Sequence, residues 1–82
     1  MQLWEYRTAL LNAVAVTLIK TSGWRLKEVN EQEQSNWKKT EIYPRLVDFC
    51  NQMGREGWEL TSASYPDHTV EKVILYFKRP LQ

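Results

Sequence analysis

A single cysteine, Cys50, and a single histidine, His68, are all that this chain offers in thiol and imidazole chemistry. One thiol excludes an intramolecular disulfide and a zinc site built on cysteines. Such usage fits a reducing compartment, and a cytoplasmic location is expected. Charge of one sign is missing too: 11 basic residues stand against 10 acidic ones, a net charge of +1. No single-sign field exists to gather nucleic acid or an anionic membrane. Internal repeats, heptads and long linkers are absent.

Long apolar runs are scarce. Thr8 to Ile19 (TALLNAVAVTLI) is the one segment that resembles a targeting signal. Glu5 and Arg7 before it cancel, so the positive leader is missing, and its small-x-small triplet Ala13-Val14-Ala15 lies inside the run rather than after it. The run is too short to cross a bilayer and carries Asn12 in its middle. No membrane association is expected.

Aromatic residues are plentiful instead, at 12% of 82 residues, including four Trp and four Tyr. That apolar payload supports a packed core and argues against disorder. The length corresponds to one domain, 1–82, small enough for self-association to help stabilise it.

Leu3 to Leu11 alternates, with Trp4, Tyr6, Thr8 and Leu10 on one side and Glu5 and Arg7 on the other, the pattern of a half-buried strand. Asn12 is a site for a turn or bulge. Val14 to Ile19 is rich in β-branched residues, which favours further strand, with helix as the alternative. Thr21-Ser22-Gly23 reads as a turn. Trp24 to Val29 reads as a strand with Trp24 and Leu26 on one face, and Asn30 to Asn36 as a hairpin tip or a loop.

A helix is expected from Thr40, as N-cap, or from Pro44. Its apolar face would hold Ile42, Leu46, Phe49, Cys50 and Met53. Gly57 is placed to end it in left-handed geometry. Gly54, in the last turn, suggests close approach to a sheet, since glycine there otherwise costs about 1 kcal/mol relative to alanine. A strand starts at Trp58, Tyr65-Pro66-Asp67-His68 turns the chain, and Val70 to Phe77 is the strongest strand. Val73, Leu75 and Phe77 share one of its faces, and Ile74 and Tyr76 the other, which argues for a central position.

Three stretches occur together in order: Trp4-Glu5-Tyr6, Met53-Gly54-Arg55-Glu56-Gly57-Trp58-Glu59-Leu60 and Phe77-Lys78-Arg79-Pro80. They resemble the motifs of a family of small bacterial proteins catalogued as a domain of unknown function. Trp24 to Lys39 looks like a hairpin variant seen in some members. Met53 stands for the usual leucine, Asn30-Glu31 for an expected Asn-Gly, and Asn12 to Ile19 looks like an addition. The resemblance implies a fold and no activity.

Chemistry is sparse. Cys50 falls on the apolar helix face and reads as a small core residue. His68 beside Asp67 sits in a turn, where such pairs are solvated. Glu56 and Glu59 flank Gly57-Trp58 with no third acid beside them. No catalytic constellation is present, so the chain is expected to be no enzyme and to need no cofactor or metal.

The expected fold is α+β: an antiparallel sheet of four to five strands in a split β-α-β arrangement. One helix covers one face, and the last strand lies between the first strand and Trp58 to Ser64. The other face, with Ile74 and Tyr76, is left open, and Trp24 is either a member of it or part of the core. Trp37 is off any periodic face and would cover the helix start or serve as an exposed anchor. The expected function is a small interaction domain that binds a protein partner or itself, as a homo-oligomer, through that aromatic face. Binding of a small ligand or single-stranded nucleic acid to the same face is the alternative.

Overall fold

In the computed structural model, residues 1–16, 21–33, 42–66 and 71–81 are described. Trp37, Thr40, Asp67 and His68 lie outside them. In chain order the elements are β1 (Trp4–Val16), β2 (Thr21–Val29), β3 (Gln32–Glu33), β4 (Ile42–Tyr43), α1 (Leu46–Arg55), β5 (Glu59–Ser64) and β6 (Lys72–Pro80). Every strand pairing is antiparallel, in the order β3-β2-β1-β6-β5, with β4 also pairing with β2. This is the expected α+β architecture, with β6 between β1 and β5.

The register shows which side of each strand is covered. Ala9 pairs with Leu75 and Leu11 with Val73, and all four are buried. With Phe77 they floor the core beneath Phe49 and Met53 of α1, and Trp58 and Tyr43 close it. Phe49 meets Tyr43 and Phe77 edge to face, at centroid distances of 5.1 and 6.0 Å. Burying each large side chain in such a core contributes about 2 kcal/mol. Leu46 and Cys50 pack against it from the helix, so that part of the expected apolar face is present.

Ile42 is not part of that helix. The expected start at Thr40 or Pro44 is replaced by a start at Leu46, with extended Arg45 as N-cap. Pro44 disfavours helical geometry at Tyr43, and Ile42–Tyr43 pairs instead with Arg25 and Trp24 of β2. Gly23 then lies inside a strand rather than in the expected turn. A Cβ there would stand 2.5 Å from Cγ2 of Ile42 and 2.9 Å from the Tyr43 carbonyl oxygen, so glycine is what lets β4 approach.

Two further expectations change. Asn12 causes no turn or bulge, since β1 runs unbroken to Val16. The irregularity lies opposite, where Leu10 pairs with Glu28 and Leu11 with Leu26, leaving Lys27 as the extra residue of β2. Among the described residues Gly54 approaches nothing: a Cβ there has no neighbour within 4 Å outside its own helix.

The helix ends as expected. Gly57 has φ +91°. Its N–H donates to the Gly54 carbonyl at 3.0 Å, and that of Trp58 to the Met53 carbonyl at 2.9 Å. These two bonds make a Schellman motif, and Met53 and Trp58, at its two ends, are both buried. The hairpin between β2 and β3 turns on Asn30 and Glu31, at φ +52° and +66°. Both are left-handed, as the tightest two-residue hairpin requires. Asn30 also ties the turn to β1: its N–H donates to the Thr8 carbonyl at 2.9 Å, and its side-chain oxygen accepts from the Thr8 N–H at 3.0 Å.

Candidate functional site

Alternation along β1 and β6 builds a second face on the side of the sheet away from α1. Tyr6 pairs with Lys78, Thr8 with Tyr76, and Leu10 with Ile74. Trp4 precedes them, and the Lys78 ammonium lies 4.3 Å from the centre of its ring. Tyr6 is 68% exposed and Trp4 37%, while Leu10, Ile74 and Tyr76 are half-buried by one another. Glu28 of β2 pairs with Leu10, and Glu59 and Ser62 of β5 pair with Lys78 and Tyr76. No described element lies over this face. A recess of about 90 Å³ opens in it, lined by Thr8, Leu10, Glu28, Glu31, Ile74 and Tyr76.

Ile74 and Tyr76 are therefore together on the open face. Trp24 is not with them: it pairs with Ala13, two residues beyond Leu11, and packs against the core on the helix side. Trp4, Tyr6 and Leu10 join this face beyond the residues expected on it. Their alternation was visible, but period two defines two faces without saying which is covered.

A second cluster forms on the helix side, where the three distant sequence motifs meet. Arg79 donates its Nε–H to the Glu5 carboxylate on the paired strand and an Nη1–H to the Glu56 carbonyl at 3.1 Å. Its guanidinium carbon lies 4.2 Å from the centre of the Trp58 ring. Arg7 stands 4.4 Å from the same ring and donates to the Met53 sulfur at 3.6 Å. A shallow cavity of about 430 Å³ lies alongside, lined by Glu5, Glu56, Gly57, Arg79, Pro80 and Leu81. The Glu5 carboxylate and the Arg79 guanidinium are engaged with each other, so the cluster ties the sheet ends to the helix terminus.

Burial pushes the Cys50 thiol above its ordinary pKa, which keeps it protonated and disfavours nucleophilic chemistry. Glu56 and Glu59 are both exposed, and Glu59 faces Lys78 across the strand pair. Among the described residues, no three His, Cys, Asp or Glu side chains group to hold a metal. None of the described helices is long and apolar enough to cross a membrane. The chain matches no family model, no curated protein and no solved structure.

Proposed function

We propose that this domain is a non-enzymatic interaction module whose helix-free sheet face docks on a protein partner or on a second copy. The observation that carries the reading is the row of Trp4, Tyr6, Leu10, Ile74 and Tyr76 on one face with no described element above it. Aromatic rings offer large contact area at small entropic cost, and tyrosine and tryptophan dominate the energetics of interfaces. A contiguous apolar patch of this kind on a small domain marks an interaction surface.

The test is a pair of exposed-face variants, Tyr6→Ser and Tyr76→Ser, in affinity capture and size-exclusion runs beside the parent chain. Loss of captured protein or of the oligomer, with the melting temperature little changed, is the expected result. A parent chain that stays monomeric and captures nothing counts against the reading.

One observation favours the alternative occupant, single-stranded nucleic acid or a small flat ligand. Lys78 sits over Trp4 beside Tyr6 and Tyr76, an interleaving of cation and ring that suits stacked bases. Tryptophan fluorescence titrated with oligonucleotides and nucleotides separates the two, since a flat response leaves the protein partner.

Family membership belongs to the same proposal. What supports it is the joint role of the motifs: Glu5 of the first pairs with Arg79 of the last, and Arg79 stacks on Trp58 of the middle one.

A further inference from the structure

Strand β5 ends the sheet, and no described strand pairs with its outer edge. The opposite boundary strand, β2, is shielded by β3 at Glu28 and Val29 and by β4 at Trp24 and Arg25. An unshielded edge offers a row of backbone donors and acceptors to another strand, and proteins usually protect it with lysine, proline or brevity. β5 (ELTSAS) has six residues, no lysine, no proline and one charge, Glu59. Leu60 on it is 44% exposed.

The register within β5 is what selects an occupant. Leu60 pairs with Phe77 and Ser62 with Tyr76, so Thr61 is an inserted residue. Its hydroxyl donates to the Tyr76 carbonyl at 3.0 Å, which holds the bulge. The insertion shifts the alternation. Leu60 and Ala63, opposite the buried Phe77 and Leu75, share the helix side, whereas Glu59, Ser62 and Ser64 share the open side. Read inwards from Ser64 or from Glu59, the two outer residues at each end present the same order of faces, open side and then helix side, about Thr61 and Ser62.

We propose that β5 pairs antiparallel with β5 of a second copy about a two-fold axis between Thr61 and Ser62. Leu60 then meets Ala63 of the second copy on the helix side, and Glu59 meets Ser64 of the second copy on the open side. A slip of one residue either way sets Leu60 against Ser62 or Ser64, whose side chains belong to the other face. Charge agrees with this register, because no Glu59 faces another Glu59. The two sheets join into one, with both helices on the same side and the two open faces continuous. The pairing uses the edge rather than the open face, so it stands or falls apart from the docking role proposed for that face.

Light scattering across a concentration series of the full chain is the first measurement, with a mass that doubles as the expected result. Ser62→Lys places two cations beside the axis, and the mass returns to that of one chain while circular dichroism keeps the parent spectrum. Mixing Ser62→Lys with Ser62→Glu restores the doubled mass. In a mixed-label sample of the parent, intermolecular NOEs connect Leu60 with the Ala63 methyl. A parent chain monomeric at every concentration overturns the proposal. So does a Ser62→Lys protein that remains dimeric.

Discussion

The guanidinium carbon of Arg79 lies 4.2 Å from the centre of the Trp58 ring, joining the last strand to the residue that follows the helix. The same side chain holds Glu5 and the Glu56 carbonyl. Arg7 packs on the same ring from β1, which explains how a cation comes to lie on the covered face of that strand. Among the described residues its Nε and the Trp58 Nε1 are buried without a hydrogen-bond acceptor, so contact with the ring, the hydrocarbon stem and the Nη1 bond to the Met53 sulfur supply its stabilisation.

Arg79→Lys keeps the charge and removes the planar fork that stacks and donates in two directions. It is expected to cost about 1 kcal/mol, and Arg79→Ala about 2 kcal/mol. Urea midpoints at constant m-value check both, with the order alanine below lysine below parent.

Gly57 and Gly54 are expected to respond with opposite signs. Alanine at Gly57, at φ +91°, destabilises by about 1–2 kcal/mol because a Cβ is strained there. Alanine at Gly54 meets open space in a helical turn and stabilises by about 1 kcal/mol. Paired thermal melts of the two variants decide this, and a stabilised Gly57→Ala would refute the account of the helix end.

Glu31 holds a left-handed conformation that glycine adopts without strain. Glu31→Gly is expected to stabilise by about 1 kcal/mol. The readout is the unfolding midpoint, together with retained amide protection at Thr8 and Asn30, whose hydrogen bonds anchor the turn.

Asp48 in the first helical turn accepts from the Arg45 N–H at 2.9 Å and pairs with the Arg45 guanidinium, also at 2.9 Å. The hydrogen bond from the Arg45 side chain is the main cause that lowers its pKa from the ordinary 3.8. A lowered folded value means that its stabilisation is whole above 3.8 and is lost as pH falls through the folded pKa. Melting temperatures of the parent and Asp48→Asn are expected to differ slightly at neutral pH and to converge in acid.

Several elements could be read from residue types alone. Val73, Leu75 and Phe77 alternating with Ile74 and Tyr76 implied a strand flanked on both sides, and β6 lies between β1 and β5. Gly57 implied the helix end because few other residues accept its geometry. Gly54 carries no such signal, because a glycine inside a helix gives no sign of whether anything stands beside it. Ile42 fitted the helical spacing, but Pro44 and an open edge on β2 drew it into a strand.

Local chemistry thus determined the long strands, the helix terminus and the central strand, since alternation, glycine freedom and proline restriction act within a few residues. Only the tertiary structure decided that Arg7 turns inward while Trp4 and Tyr6 turn outward. Period two is symmetric between the two faces of a strand, and the balance was set by Trp58, which stacks on Arg7 from a distant part of the chain.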